Sequence, residues 1–346
     1  DVLNGLKDKD KGQVLMACGT GKTLTSLWIK EKLNAKNTLV LLPSLSLLSQ
    51  TLKEWHKAAK KPFKWICVCS DKSVAKEDNT NDDWVSNTSE IAIPVTSSID
   101  EIKKFLSEKG SKIIFSTYQS SPLIVDVQSD SNILPFEIVF ADEAHRCAGK
   151  VSNAFSSVLD DKKIRSIKKL FFTATPKILS NQIKGIARSK EIKVTSMDDK
   201  DIFGEVLYEL KFSDAINNNP PLLTDYQVVI SIVDNPMIKQ QILNRDLLTT
   251  DGEKVIDAES LASTVGIINS IKDFNLKRVI SFHNKVKNAK IFASNLQDVS
   301  KIIRKENRPS GIINCEYVTG SMKSSERNQK LKRLKYLNEK ERRLLS

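Results

Sequence analysis

Two short stretches of this sequence combine residue types that can handle a phosphate group and a divalent cation. The first is "LMACGTGKT", residues 15–23, which follows an apolar run and precedes a segment with helical spacing. Its glycines allow backbone angles that aim successive N–H groups into one cavity. Lys22 supplies an ammonium for phosphate oxygens, and the Thr23 hydroxyl can bind Mg²⁺. Met16 stands where the pattern G-x-x-x-x-G-K-[ST] has its first glycine. The stretch predicts a nucleotide phosphate loop made of Cys18, Gly19, Thr20, Gly21, Lys22 and Thr23.

The second stretch is "FEIVFADEAHR", residues 136–146, an apolar run that ends in two carboxylates. Asp142 at a strand end can hold magnesium through water, and Glu143 can orient and deprotonate an attacking water. An acidic helix start after a strand would show the same two residues. Because the phosphate loop lies upstream, we favour the catalytic interpretation. It makes Lys22 and Glu143 the catalytic candidates, and Thr23 and Asp142 the metal ligands.

The elements that must position these residues alternate between strands and helices. Strand-like runs are separated by helix-like stretches, which is typical of a parallel sheet covered on both faces. The runs of the first part are "QVLMA", "TLVLLP", "KWICVC", "KIIFST", "EIVFAD" and "KLFFTA". Further runs, "QVVISIV", "RVISFHN" and "IINCEYVTG", indicate a second α/β unit. The sequence therefore predicts an α/β fold with two parallel-sheet domains in tandem.

The domain boundaries follow from changes in composition and periodicity. The 346 residues are enough for two domains. We predict a first domain over residues 1–195, which contains both chemical motifs. Residues 196–225 lack a strong period and contain "NNNPP", so we expect them to connect the domains. The second domain is expected over residues 226–346.

Three motifs resemble those of the superfamily 2 helicases and translocases, in the family's order. They are "ACGTGKT", "DEAH" at 142–145 and "TATP" at 173–176. The resemblance implies two RecA-like domains, with ATP and Mg²⁺ in the cleft between them and nucleic acid across the top. A layer beside the ATP site would couple hydrolysis to domain closure. Alternatively, its hydroxyls only satisfy backbone groups. The coupling candidates are His145, Arg146, Thr173 and Thr175.

Finer features resemble one branch of this superfamily, the motor segment of restriction enzymes. The features include "MACGTGKT", "LLPSLSLLSQTLKEW", "FSTYQS", "FADEAHRCAG" and "SMDDKDIFGEVLYELKFSDAI". They are most similar to the single-chain type ISP enzymes and, more distantly, to the type I R subunits. This resemblance covers nearly the whole chain. It implies nuclease and methyltransferase domains on other parts of the same polypeptide.

Four segments carry the nucleic-acid contacts that the resemblance implies, and they resemble motif Ia, a strand-end contact site, motif IV and motif IVa. Tyr118 is alternatively a packed aromatic residue, and His283 a capping residue. No base-reading motif is visible, so we expect contacts with the DNA backbone, without sequence preference and with steep salt dependence. The candidates are Pro43, Ser44, Ser116, Thr117, Tyr118, His283, Asn284, Thr319 and Gly320.

The composition favours a polyanionic partner such as duplex DNA. Lysine and arginine number 54 against 42 acidic residues, a net charge of +12, although any basic protein would share this excess. Five cysteines show no metal-ligand spacing, and unpaired thiols suggest a reducing cytoplasm. The longest apolar stretch, "TLVLLPSLSLL", is broken by Pro43 and is too short to span a bilayer, so no membrane partner is expected.

Three functions fit these residues. The first is a DNA-tracking ATPase motor of a restriction-modification enzyme, which moves along duplex DNA without separating its strands. The second is a strand-separating helicase of DNA or RNA with the same core. The third is a phosphate-loop nucleotide switch or scaffold without motor activity, against which "TATP" and the motif Ia resemblance argue.

One family motif has no counterpart in these residues. No stretch resembles "QxxGRxxR", which in the family supplies the arginines that reach the γ-phosphate. An arginine finger contributes about 10³ to 10⁵ in rate in other phosphoryl-transfer enzymes. We therefore expect this chain to be a fragment of a longer enzyme, with a truncated second domain and poor ATP hydrolysis of its own.

Overall fold

The structure is a computed structural model of the chain, and its described residues divide into two compact units. It describes residues 1–69, 94–150, 153–230, 247–250, 254–303, 308–322, 324–338 and 341–346. The division between the units falls between Asp225 and Tyr226. The domain boundaries inferred from the sequence stay a prediction.

The first unit is built on a large parallel sheet. Within the described residues, eight strands form this sheet in the order β10-β1-β8-β6-β2-β5-β3-β4, and each neighbouring pair is parallel. A short antiparallel pair, β7 and β9, lies outside it. The strands are β1 Lys11–Met16, β2 Asn37–Leu42, β3 Lys64–Val68, β4 Val95–Thr96, β5 Lys112–Thr117, β6 Phe136–Ala141, β7 Gly149–Lys150, β8 Ser166–Thr173, β9 Val194–Thr195 and β10 Glu205–Leu210. The six strand-like runs of the first part are confirmed as strands.

Helices cover both faces of this sheet. The successive side chains of each strand point to opposite faces, so each strand contributes to both cores. In β2, Val40 and Leu42 belong to one buried cluster, while Leu39 and Leu41 belong to another. Such doubly buried strands read as continuous apolar runs. The helices are α1 Val2–Gly5, α2 Lys22–Lys32, α3 Leu45–Ala58, α4 Ile99–Ser107, α5 Ser121–Gln128, α6 Asn153–Ser156, α7 Asn181–Ser189, α8 Lys200–Phe203 and α9 Phe212–Asn217.

The segment predicted as an interdomain connection, residues 196–225, contributes regular structure to the first unit. It contains α8, β10 and α9. Strand β10 pairs in parallel with β1, and the Ala17 N–H donates to the Leu210 carbonyl at 3.1 Å. Its side chains are half-buried or exposed because β10 is the outermost strand of the sheet, which explains the weak sequence period.

The second unit has smaller sheets. Strands β13 Arg278–Ile280, β14 Ile312–Glu316 and β15 Glu341–Leu345 form a parallel sheet in the order β13-β15-β14. Strands β11 Leu247–Thr250 and β12 Lys254–Asp257 form an antiparallel pair. The helices of this unit are α10 Ala258–Asp273, α11 Val286–Ile302 and α12 Ser324–Lys335.

One strand predicted for the second unit is absent from the part that the structure describes. Residues 227–230 of "QVVISIV" have no strand pairing, and the rest of that run lies outside the described residues. The predicted α/β class with parallel sheets is confirmed for both units. In the described ranges, no helix has the length and hydropathy for crossing a membrane.

Trp55 anchors α3 to the sheet of the first unit. Its side chain is 0% exposed and meets the rings of Phe115 and Phe140 edge-on, at centroid distances of 5.5 and 6.0 Å. Replacing Trp55 with alanine is expected to lower the free energy of unfolding by about 3–5 kcal/mol, because it leaves a cavity that neighbours fill only in part. Urea denaturation followed by circular dichroism measures this loss.

The matched control is Trp28→Ala in α2, where the side chain is 49% exposed. It should change the unfolding free energy by no more than about 0.5 kcal/mol. Equal losses from both tryptophans would contradict the packing described for Trp55.

Candidate functional site

The predicted phosphate loop connects β1 to α2. Gly19 and Gly21 have φ angles of +82° and +92°, in the left-handed region that favours glycine. A Cβ on Gly21 would meet nothing within 4 Å, so the loop is open on that side. The Thr20 hydroxyl donates to the Ala17 carbonyl at 2.7 Å and closes the turn. The N-terminus of α2, where backbone N–H groups are free to bind an anion, therefore faces open space.

Lys22 is held between the loop and the acidic strand end. Its Nζ donates to the Met16 carbonyl at 3.4 Å and lies 3.8 Å from the Glu143 Oε1. Only 12% of the Lys22 side chain is exposed. The structure thus brings together the two predicted catalytic residues, which are far apart in the sequence.

Asp142 and Glu143 follow β6, two strands away from β1 in the sheet. The Asp142 N–H donates to the Leu41 carbonyl at 2.9 Å, which continues the strand pairing by one residue. Glu143 has a φ of +49° and a ψ of 46°, a left-handed conformation that few glutamates adopt. The chain turns sharply there, and its carboxylate faces Lys22.

The predicted metal ligands share one cavity. Thr23 and Asp142 both line it, together with Lys22, Ser26 and Thr51. A hydroxyl and a carboxylate are the hard oxygen ligands that Mg²⁺ accepts, so these residues fit the cation. Burial, and then the neighbouring Glu143 charge, raise the pKa of Asp142 to about 6. A bound cation would favour the charged form of this carboxylate.

Glu143 is oriented by a histidine as well as by Lys22. The His145 Nδ1 lies 3.4 Å from the Glu143 Oε2. This hydrogen bond, followed by the Lys22 charge, holds the pKa of Glu143 below its usual value against the opposing effect of burial. Glu143 is therefore ionised at neutral pH and able to accept a proton.

The coupling candidates lie in a chain behind Glu143. The His145 Nδ1 is also 2.9 Å from the Thr173 Oγ1 at the end of β8. The Thr173 hydroxyl lies 3.3 Å from the Thr175 carbonyl oxygen. The same hydroxyl oxygen accepts a hydrogen bond from the Thr175 N–H at 3.2 Å. Arg146 contributes a charge that also lowers the pKa of Glu143. Hydrogen bonds thus connect His145, Thr173 and Thr175 to the carboxylate, while Arg146 acts on it through its charge.

Sequence reasoning missed one residue that contacts the loop. The Trp55 indole Nε1–H donates to the Thr23 carbonyl at 2.9 Å, so α3 supports the start of α2. The sequence places this tryptophan at the end of the motif Ia segment. A buried indole N–H usually finds a partner, but nothing in the local pattern identifies Thr23 as that partner.

The nucleic-acid candidates of the first unit differ in their exposure. Pro43 is buried, and half-buried Ser44 uses its hydroxyl to cap α3 by accepting from the Leu47 N–H at 3.3 Å. The side chains of Ser116, Thr117 and Tyr118 are also buried, and their contact with DNA stays a prediction. Their exposed fractions are 0% for Ser116, 3% for Thr117 and 0% for Tyr118. The reason is that β5 and the turn after it point these side chains into the core.

The nucleic-acid candidates of the second unit follow two strands of the same sheet. After β13, His283 is half-buried with Nε2 3.1 Å from the Ser281 Oγ, and burial lowers its pKa. Asn284 is exposed. After β14, the buried Thr319 hydroxyl pairs with Ser321, and half-buried Gly320 accepts a hydrogen bond from Arg327. Asn284 is thus the candidate of this group whose side chain is most available to a ligand.

The chain is similar in sequence to a restriction-enzyme family and to viral helicases. A family model described as "Type III restriction enzyme, res subunit" (ResIII) matches residues 1–178. "Probable helicase A859L" of African swine fever virus (isolate Tick/Malawi/Lil 20-1/1983) is 26% identical over 285 residues, which are 82% of this chain and 28% of the viral protein. The same protein of isolate Tick/South Africa/Pretoriuskop Pr4/1996 is 30% identical over 173 residues, which are 50% of this chain and 18% of that viral protein. This chain therefore spans less than a third of the viral relatives.

Two solved structures match all or nearly all of this chain. The type ISP restriction-modification enzyme LlaBIII, described as ATP-dependent and bound to DNA, matches with a TM-score of 0.80 and 28% identity, covering 100% of this chain and 23% of that one. A nuclease-deletion mutant of the type ISP enzyme LlaGI, in complex with a DNA substrate mimic, matches with a TM-score of 0.65 and 24% identity. That match covers 99% of this chain and 23% of the LlaGI chain. The predicted resemblance to helicases and type ISP restriction enzymes, with their RecA-like fold, is confirmed.

Proposed function

This chain belongs to the ResIII family, described as the res subunit of type III restriction enzymes, and on that premise we propose that it is the ATP-hydrolysing motor part of a DNA translocase. The observation that carries the proposal is the meeting of Lys22, Thr23, Asp142 and Glu143 at one edge of the parallel sheet. Ligands of open α/β sheets bind at that edge, beyond the carboxyl ends of the strands.

The residues divide the work of hydrolysis between them. The loop N–H groups and Lys22 would bind the phosphates of ATP, and Thr23 and Asp142 would hold Mg²⁺. The chemistry that Mg²⁺ would supply there is neutralisation of charge on the phosphates. Glu143 accepts a proton from a water whose oxygen attacks the γ-phosphorus, and the bond to the β-phosphate oxygen of ADP breaks. The Nζ of Lys22 must turn from Glu143 toward the phosphate, which leaves the carboxylate free for water.

The partner we propose is duplex DNA, held through its backbone. The solved structures in question are restriction enzymes with DNA or a DNA mimic, and the net charge of this chain is +12. Ser44 and Asn284, at strand ends, supply polar groups for phosphate contacts without reading bases.

We propose that movement along DNA is used by a restriction enzyme. Because this chain spans 23% of each type ISP enzyme, we propose that it acts together with nuclease and methyltransferase domains of the same polypeptide. The name "Probable helicase" of the viral relatives favours a second candidate, a motor that separates strands. Both candidates use the same ATP site.

A displacement assay on the full protein distinguishes these functions. One substrate is a duplex that carries a triplex-forming third strand, and the other is a duplex with a single-stranded tail. A translocase is expected to release the third strand in the presence of Mg·ATP and to leave the tailed duplex paired. A non-hydrolysable ATP analogue is the control and should release neither strand.

Release of single strands from the tailed duplex would contradict the translocase proposal and support the strand-separating helicase. If the protein released no strand from either substrate and did not hydrolyse ATP in the presence of DNA, both motor functions would be contradicted. The nucleotide switch would then be the remaining function.

A further inference from the structure

Tyr118, predicted as a DNA contact, lies in the core directly behind the acidic strand end. It opens the short helical turn Tyr118–Ser120 after β5. Its ring stacks on Phe155, with centroids 5.1 Å apart and an interplanar angle of 24°. A fully buried tyrosine needs a partner for its hydroxyl, and that partner determines what the residue can do.

The hydroxyl donates to the Asp142 carbonyl at 2.7 Å. The Cys147 thiol is a buried neighbour of this hydroxyl. Burial raises the pKa of Tyr118 well above its usual value, and raises that of Cys147 to about 12. The hydroxyl is therefore protonated at neutral pH and able to donate to the Asp142 carbonyl.

The peptide group that Tyr118 contacts is the one that joins Asp142 to Glu143. Its carbonyl oxygen accepts from Tyr118, and its N–H donates to the Asp142 Oδ1 at 3.0 Å. Both polar atoms of the group are thus held, which fixes the peptide plane. The plane sets the direction in which the chain enters Glu143, whose left-handed conformation persists only where its surroundings hold it.

We propose that Tyr118 is a positioning residue for Glu143, and that its hydroxyl holds the Asp142–Glu143 peptide in the orientation that aims the Glu143 carboxylate at the phosphate site. This inference rests on the proposed function as far as ATP hydrolysis is concerned. It assigns Tyr118 to the nucleotide site, with no role in contacting DNA.

The test is Tyr118→Phe in the full protein, which keeps the ring on Phe155 and removes the hydroxyl. The matched control is Thr195→Val, which removes a buried hydroxyl that donates to the Cys147 carbonyl at 2.9 Å and does not touch the 142–143 peptide. In Tyr118→Phe the kcat of ATP hydrolysis should fall about tenfold, as expected for the loss of one hydrogen bond. The KM for ATP should stay within about twofold, because the phosphate loop is untouched. The control should keep both constants.

A second measurement does not depend on hydrolysis. Amide hydrogen exchange at Glu143, without nucleotide, should be about tenfold faster in Tyr118→Phe than in the parent protein, and unchanged in Thr195→Val. Unchanged exchange at Glu143 would overturn the inference, and so would an unchanged kcat in a protein that hydrolyses ATP. Equal losses of kcat in both variants would also overturn it, since they indicate general loosening. A parent protein without ATP hydrolysis would contradict the proposed function, and the exchange result would still decide the role of Tyr118.

Discussion

Replacing Glu143 with glutamine is expected to stop ATP turnover while leaving Mg·ATP bound. Glutamine has the size of glutamate but cannot take the proton of the attacking water, and general bases contribute about 10²- to 10⁴-fold in rate. The hydrogen bond from His145, and then the Lys22 charge, lower the pKa of Glu143, so we expect the carboxylate to be ionised at neutral pH before ATP arrives. Steady-state hydrolysis by the full protein measures the loss, and calorimetry with Mg·ATP measures the retained binding.

The control for this variant is Glu137→Gln. Glu137 lies in the same strand, β6, and its carboxylate accepts the Lys36 N–H at 2.8 Å, away from the phosphate loop. Its replacement should leave turnover unchanged. If Glu143→Gln hydrolysed ATP at the parental rate, the base would have to be another residue.

Replacing Lys22 with alanine is expected to weaken nucleotide binding by about ten- to hundredfold, because a hydrogen bond to a charged group contributes about 1.5–3 kcal/mol. The Lys22 Nζ lies 3.8 Å from the Glu143 Oε1, and Lys22 lines the cavity beside the loop. Titration with a fluorescent ATP analogue, with Mg²⁺ present, measures the affinity.

Lys32→Ala serves as the comparison, since Lys32 is an exposed lysine in the last turn of the same helix, α2. Its removal changes the net charge equally and should leave the affinity as it was. An affinity of Lys22→Ala equal to that of the parent would exclude the loop as the phosphate site.

The turn between β1 and α2 could be predicted from the sequence because its residues lie in one segment, and phosphate binding there stays a prediction. The roles proposed for Gly19, Gly21 and Lys22 depend on their own backbone angles and on their place before a helix, which local spacing indicates. The acidic pair is predicted for the same reason, since Asp142 and Glu143 follow a continuous apolar run.

Residues whose roles depend on distant partners are predicted less well. The polar character of "FSTYQS" at a strand end suggests an exposed contact, but the turn after β5 directs Tyr118 inward, to a carbonyl 24 residues away. Trp55 likewise reaches Thr23, 32 residues away. The left-handed conformation of Glu143 has no signal in the sequence, because a glutamate does not favour it.

The order of strands in the large sheet has a consequence for when the nucleotide site can form during synthesis. Strand β1, which leads into the phosphate loop, pairs with β8 and β10, and both are made much later in the chain. Pairings between such distant segments are slow to form, because a long loop must close before they do. On the ribosome, residues 11–16 must therefore wait for residues 166–210 to emerge. Although the phosphate loop is made early, the strand that leads into it is paired late. ATP binding would therefore report that the whole first unit has folded.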